Sequence, residues 1–258
     1  MKLGGFGRIA DYDKIKVSGF DYAELDIPEL VELTEKEFET FCEKVKRDNF
    51  PVLTGARALP IAEPWFFTDR FSLDEYRGYM EKACFRAKRL GIRKIILGNG
   101  KARWLFDEDS IKLESNFIDL LRTFAEIAGT QGIEIILEPL GPEYSNYINT
   151  LPEAVRVIRA ANAPNLFIMA DLRHLYRGGE SYEDIVACAD AVHHVHVDYP
   201  EVFPARPFPN SQDGFNYTPF LSAVKRSGYD DTLTIEADTP DDWAASYCEA
   251  IKVLEDLL

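Results

Sequence analysis

An α/β protein built as a single (β/α)8 TIM barrel is predicted by three observations: chain length, the alternation of segment types, and one acidic strand end. The chain has 258 residues, the usual size of one such barrel. Short β-branched or apolar runs alternate with segments of helical period, the pattern of a parallel sheet joined by helices. No linker, charge block, low-complexity tract or internal repeat divides residues 1–258, so one domain is expected. The third observation is the stretch 133–150, IEIILEPLGPEYSNYINT. It reads as a strand bounded by Gly132 and Pro139 that ends in Glu138 and breaks into a Pro/Gly loop. A carboxylate ending a buried strand is costly unless a cation meets it. The C-terminal strand ends are where a barrel of this kind keeps its chemistry.

In chain order, strands are predicted over 3–6 and 22–25, with a weakly marked helix between them. A helix over 34–48 opens on Thr34 with Glu37 three residues on, a capping box. A third strand, 51–53, leads into a long loop, 54–71. The next helix starts at Ser72, runs to Leu90 and stops at Gly91. Strand four is 94–97, followed by Gly98-Asn99-Gly100 and a helix over 109–129. After strand five, a helix over 151–161 has Thr150 as its cap and Glu153 three residues on. Strand six, 166–170, ends at Asp171, and helix six covers 182–188. Strand seven is 192–197, and its helix, 218–226, comes after a long loop. Strand eight, 232–235, ends at Glu236, and a helix over 241–258 closes the chain.

Composition narrows the partners. The net charge of −15 argues against nucleic acid, whose phosphates require a basic surface. The N-terminal MKLGGFGRIADYDK lacks the apolar core of a secretory signal. No run approaches the roughly 18 apolar residues of a membrane span. Cys42, Cys84, Cys188 and Cys248 are far apart and form no CxxC. They are read as reduced structural thiols, and the expected location is the cytoplasm. A homo-oligomer is left open.

Four consecutive strand ends carry ligand-type residues: Glu138, Asp171, His196 and Glu236. Consecutive barrel strands are neighbours, so these side chains can converge at the C-terminal face. Three carboxylates and one imidazole suit a hard or borderline divalent cation: Mn²⁺ first, with Mg²⁺, Co²⁺ or Zn²⁺ as alternatives. A single acid at a strand end would be an ordinary surface residue; four in succession are not. Strand seven reads HHVHVDY, and alternation puts His194, His196 and Asp198 on one face. His196 is nearest the rim and is the ligand; His194 is an interior, hydrogen-bonded histidine one layer down. His174, three residues past Asp171, could orient a substrate oxygen or sit in a loop turn. Arg206, in EVFPARPFPN, is a candidate for a substrate hydroxyl or phosphate, or a surface arginine. Trp65 and Phe66 offer a stacking face for a sugar, a packing plug or a subunit contact. Gly98-Asn99-Gly100 is at most a weak phosphate cradle, with no GxGxxG present. Glu24 on the second strand faces substrate or forms a salt bridge.

At GNGKAR after the fourth strand, EPLGPEYSNYINT, DLRH, HVH and IEAD, the chain resembles the xylose isomerase-like barrel superfamily. Within it, the chain resembles the sugar phosphate isomerase/epimerase group that includes ketose 3-epimerases. The resemblance covers nearly the whole chain. It implies one divalent metal ion on Glu138, Asp171, His196 and Glu236, and a substrate contact by His174. It also implies that Glu138 and Glu236 form the acid/base pair of a carbohydrate isomerase or epimerase. Such an enzyme abstracts a proton beside a carbonyl and passes through an enediolate.

Two departures from the group bear on substrate. Where it carries a glutamate six residues after the first metal glutamate, this chain has Tyr144, with Glu143 one residue early. The arginine expected shortly after the metal histidine is not at its usual spacing, and Arg206 is the nearest substitute. A tyrosine both donates and accepts hydrogen bonds and is neutral at pH 7. The expected substrate is therefore shorter than a six-carbon ketose, cyclic, or ended by a carboxylate or phosphate; the alternative is that Tyr144 turns outward and Glu143 takes the terminal hydroxyl after a one-residue shift of the loop. Three rivals share the scaffold. A dehydratase of inosose or dehydroshikimate type is separated from an isomerase only by its product. An AP-endonuclease-like enzyme would need more than the four histidines here. A non-catalytic carbohydrate-binding barrel would have no need to retain four ligand-type residues.

Overall fold

The structure, a computed structural model, describes residues 1–255. Eight strands form its centre: β1 (Lys2–Gly7), β2 (Tyr22–Asp26), β3 (Val52–Ala56), β4 (Lys94–Leu97), β5 (Glu134–Leu137), β6 (Leu166–Asp171), β7 (Val192–Val197) and β8 (Thr232–Ile235). They close in sequence order, each parallel to its neighbours, and β8 pairs with β1. The helices are α1 (Tyr12–Ser18), α2 (Ile27–Glu32), α3 (Glu35–Asp48), α4 (Leu73–Leu90), α5 (Glu114–Thr130), α6 (Leu151–Ala161), α7 (Leu172–Gly178), α8 (Glu183–Ala187), α9 (Thr218–Arg226) and α10 (Trp243–Leu254). This is the predicted (β/α)8 barrel.

Strand alternation sorts the side chains into two cores. Ile95, Leu97, Ile135, Leu137, Val195, Val197, Leu233 and Ile235 are fully buried in the main apolar core. Ile96, Ile136 and Met169 form a separate apolar cluster inside the barrel, with Phe167 against it. The other side of the interior is polar: Tyr22, Glu24, Thr54, His194, Thr232 and Thr234 are all fully buried. Burial of such groups is tolerable only with hydrogen bonds. Tyr22 Oη lies 2.6 Å from Thr234 Oγ1, and Thr54 Oγ1 donates to Glu24 at 2.6 Å. Lys94 Nζ donates to Thr232 Oγ1 at 3.1 Å and to Asp231 at 2.7 Å.

The helix ends are formed as their sequences dictate. Both predicted capping boxes are present, at Thr34/Glu37 and Thr150/Glu153. Gly91 ends α4 in the left-handed conformation, φ 94°, where the lack of a Cβ removes the steric penalty. Strand β3 runs to Ala56, past its expected end at residue 53. Thr54 and Gly55 read as a loop start, but Thr54 is needed by Glu24. Gly55 lies where an added Cβ would come 2.3 Å from Ile27 Cδ1. The helix expected over 109–129 opens as a 3-10 turn, Ser110–Leu113, before α5. Two short helices, α2 and α7, were not expected. Each starts on an aspartate cap that ends a strand, Asp26 and Asp171. The last helix was expected to reach 258; residues 256–258 lie outside the described ones.

Two outcomes follow. Gly4 on β1 faces the Tyr22 ring, and a Cβ there would lie 2.2 Å from Tyr22 Cζ. Gly4→Ala should destabilise the barrel by about 1–3 kcal/mol, read as a lowered denaturation midpoint; an unchanged midpoint would contradict the close approach. Glu180 accepts the Leu151 N–H at 2.8 Å, but its Oε2 is buried without a partner. Burial pushes its pKa up to about 7. A raised carboxyl pKa stabilises the fold below the unfolded value and loses that contribution as pH rises through about 7. Glu180→Gln should therefore leave stability unchanged near pH 4.5 and raise it at pH 8 by about 1 kcal/mol, allowing for partial solvent screening. Equal melting curves for both proteins at pH 8 would contradict this.

Candidate metal centre

The four strand ends bring their side chains together. Glu138 follows β5 and Glu236 follows β8, and both continue the sheet by one hydrogen bond. The Glu138 N–H donates to the Leu97 carbonyl at 3.1 Å, and the Glu236 N–H to the Val197 carbonyl at 3.2 Å. Asp171 and His196 are paired in register on β6 and β7. One ligand-type atom from each of the four lies within 4.8 Å of the others. His196 Nδ1 stands 3.2 Å from Glu236 Oε2, 3.6 Å from Asp171 Oδ2 and 3.9 Å from Glu138 Oε1. Asp171 divides its two oxygens: Oδ1 caps α7 by accepting the His174 N–H at 3.1 Å, and Oδ2 turns to the cluster.

The donor set fits a divalent ion. Glu138 Oε1 and His196 Nδ1 are buried with no hydrogen-bond partner, which is costly unless another group satisfies them. With bonds of about 2.0–2.3 Å, ligands on opposite sides of one ion stand roughly 4 Å apart, in keeping with this span. The charge balance points the same way. Burial opposes a charge on the His196 ring, but Glu24 and Glu236 outweigh it and hold its pKa well above the usual histidine value. Burial also opposes ionisation of Asp171, yet His174, His196 and Arg206 keep its carboxyl well below the usual range. The cluster draws positive charge from whatever can supply it.

Arg206 is such a source. Its Nη1 is 2.6 Å from Glu236 Oε2, its Nη2 3.2 Å from Asp171 Oδ2, and its Nε donates to Asp198 at 2.8 Å. Asp198 is also held by the fully buried Arg173, whose Nε donates at 2.6 Å and whose two terminal nitrogens donate to the Val202 and Tyr199 carbonyls. Arg173 and Asp198 thus fix the loop that delivers Arg206. The sequence reading gave neither a role, although strand alternation had put Asp198 on the face of His196.

A cavity of about 660 Å³ opens over the cluster, lined by Glu138, Glu236, His174, Tyr144, Arg206 and Trp104 among others. That volume lies within the range of small-molecule sites. His174 Nε2 is 3.4 Å from Glu138 Oε1. The Tyr144 ring stands edge-on to His174 and to Phe203, and its hydroxyl is buried without a partner. Glu143 turns to Arg177, at 2.8 Å from its Nε.

One expectation needs correction. Trp65 does not line this cavity. It is buried against Phe66, Phe71 and Tyr76, a packing plug, because its loop folds back onto the core. The tryptophan that does line the cavity is Trp104, at the end of the GNGKAR turn. The glycines of that turn have a packing reason. A Cβ on Gly98 would lie 2.3 Å from Glu138 Oε2, and one on Gly100 2.5 Å from the Tyr144 carbonyl. The glycines are small so that the β5 loop can lie close over them.

Glu24 proves to be a salt-bridge partner. Fully buried, it stands 2.9 Å from His194 Nε2 and 2.9 Å from His196 Nε2. Burial pushes His194 down to about 4, against the pull of Glu24. His194 is the interior, hydrogen-bonded histidine that the sequence reading expects.

A closed eight-stranded barrel with a carboxylate–histidine cluster under its C-terminal cavity defines the class: a (β/α)8 barrel with a candidate divalent-metal centre. Within that class the chain belongs to the xylose isomerase-like TIM barrel family, which its residues 12–257 match. It is similar to an inosose isomerase of Halalkalibacterium halodurans, with 24 % identity across 96 % of this chain and 89 % of that one. Its fold is similar to a D-allulose 3-epimerase from Methylomonas sp., at a TM-score of 0.84 and 17 % identity over 100 % of this chain and 98 % of that one. A crystal structure described as IOLI protein with a binding zinc atom superposes at a TM-score of 0.78 and 19 % identity, covering 100 % and 98 %.

Gly98→Ala tests the cluster without touching a ligand. The methyl group must displace Glu138, so Mn²⁺ affinity measured by titration calorimetry should fall roughly tenfold, with the circular dichroism spectrum retained. Unchanged affinity would remove Glu138 from the ligand set.

Proposed function

We propose that this chain is a divalent-metal-dependent isomerase or epimerase of a small carbohydrate. One observation carries the reading. Glu138 and Glu236 reach the same cluster from β5 and β8, with β6 and β7 between them, under a cavity of about 660 Å³. They flank the place where a substrate would meet the ion. The relatives' names, an inosose isomerase and a D-allulose 3-epimerase, support a polyhydroxy ketone as substrate.

Glu138, Asp171, His196 and Glu236 would hold the ion, with Mn²⁺ first and Mg²⁺, Co²⁺ or Zn²⁺ compatible with the same donors. When bound, it supplies Lewis acidity toward a substrate carbonyl and the neighbouring hydroxyl oxygen. The chain's own residues move the proton. One glutamate takes it from the carbon beside the carbonyl. The other returns one, to the opposite face in an epimerase or to the neighbouring carbon in an isomerase. His174, beside Glu138, orients a substrate oxygen. Arg206 is engaged by Asp171, Asp198 and Glu236. It therefore serves an oxygen near the reacting carbon rather than a distant phosphate. Tyr144 offers its hydroxyl and ring edge where a ketose 3-epimerase offers a carboxylate, which favours a cyclic or shortened substrate. Four free cysteines support a reducing, cytoplasmic setting.

Glu138→Gln and Glu236→Gln should each lower kcat by roughly two or more orders of magnitude on the substrate found by screening ketoses, inososes and their phosphates with Mn²⁺. Metal content measured alongside separates loss of the proton carrier from loss of the ion. Turnover near wild type in either variant, with the ion bound, would rule out the assigned role.

A further inference from the structure

Glu24 touches neither the cavity nor the three carboxylates, yet it contacts the one nitrogen ligand from behind. Its two oxygens have different surroundings. Oε2 receives Thr54 Oγ1 at 2.6 Å, His194 Nε2 at 2.9 Å and Thr234 Oγ1 at 3.1 Å. Oε1 lies 2.9 Å from His196 Nε2, close enough for a hydrogen bond but not aligned for one, and neither buried atom has another partner. The donors can be followed outward from Lys94. Lys94 Nζ donates to Thr232 Oγ1, and the Thr232 hydroxyl lies 2.9 Å from His194 Nδ1 with its own proton available to that nitrogen. His194 Nε2, 2.9 Å from a carboxylate oxygen that already accepts from two threonine hydroxyls, is placed to donate to it. Every group around Oε2 is a donor, so Glu24 is an ionised acceptor held in one orientation. Its Oε1, buried 2.9 Å from His196 Nε2 with no other partner, is satisfied once a small turn of that ring directs an Nε2 proton onto it.

We propose that Glu24 is a positioning residue for the candidate metal centre. It fixes His196 in the tautomer that protonates Nε2 and leaves the Nδ1 lone pair facing Glu138, Asp171 and Glu236. The inference rests on the proposed metal-dependent function and adds the part of the barrel interior that prepares its nitrogen ligand. A carboxylate hydrogen-bonded to the far nitrogen of a ligating histidine fixes the ring and raises its basicity. Here that carboxylate is anchored by two threonines, a second histidine and, through Thr232, a buried lysine. The same residues allow a different arrangement, a second ion held by Glu24, His194 and His196. The three donors already on Oε2 argue against it.

The test is Mn²⁺ titration of wild type and Glu24→Gln, followed by calorimetry and by manganese electron paramagnetic resonance. The expected result is one ion per chain in both, with affinity in the variant weaker by roughly 10- to 100-fold and the far-UV spectrum unchanged. Equal affinities would overturn the proposal while leaving the four-ligand centre standing. Two ions per wild-type chain would also overturn it, in favour of the second arrangement. A wild type that binds no ion would overturn the proposal together with the reading beneath it. Long-range ¹H–¹⁵N spectra of the Zn²⁺-loaded wild type decide the matter even where Glu24→Gln fails to fold. The expected pattern for His196 is coordination through Nδ1 with the proton on Nε2, and coordination through Nε2 would contradict the proposal.

Discussion

Three carboxylates and one imidazole, gathered below the surface at the end of the barrel, make a concentration of negative charge that the fold must answer. Desolvation of even one unpaired carboxylate is costly, so the local structure is arranged around supplying positive charge. The fold's own answer is Arg206, whose guanidinium reaches Glu236 and Asp171. The chemical answer is a divalent ion, for which the four side chains offer donors of the right kind and spacing. Other features serve these two answers. Gly98 is small because Glu138 lies against it. Helix α7 begins where it does because Asp171 caps it with one oxygen and keeps the other for the cluster.

The barrel interior extends the same logic downward. Interiors of this fold are usually filled by layers of branched apolar side chains, and here one side follows that rule with Ile96, Ile136 and Met169. The other side carries Tyr22, Glu24, Thr54, His194, Thr232 and Thr234, all buried and each hydrogen-bonded. A half-satisfied network of this kind would be worse than an apolar core. Its cost is understandable if it holds a ligand of the cluster in place. Glu24 links it to the site above through His196, and Lys94 anchors it below through Thr232.

Much of this was legible in the sequence, for physical reasons. Strands four, seven and eight and helices 151–161 and 218–226 have the expected bounds, because apolar runs, a capping box at Thr150 and a proline in the first turn of each helix leave little choice of register. The convergence of Glu138, Asp171, His196 and Glu236 followed from topology alone, since consecutive strands of a parallel barrel are neighbours. Less legible were features that depend on what lies opposite. Trp65 was named for the cavity and Trp104 was passed over, because only the folded loop decides which ring faces inward. Glu24 looked like any strand-end acid, and its place beside two histidines depends on β2 and β7, two strands distant in sequence. Helices α2 and α7 were hidden because each begins on the aspartate that ends a strand, leaving no loop to announce it.

Proton exchange at the carbon beside a carbonyl is the most direct measurement of the chemistry assigned to this site. The Mn²⁺-loaded protein would be incubated in deuterated water with ketoses and with cyclic inososes, and each substrate followed by NMR. Deuterium should enter at the carbon next to the carbonyl in at least one of them, and should fail to enter with Glu138→Gln or Glu236→Gln. A product that forms at wild-type rate with no deuterium in either substrate or product would fit direct hydride movement between carbons, and would contradict a pair of glutamates that takes and returns a solvent-exchangeable proton.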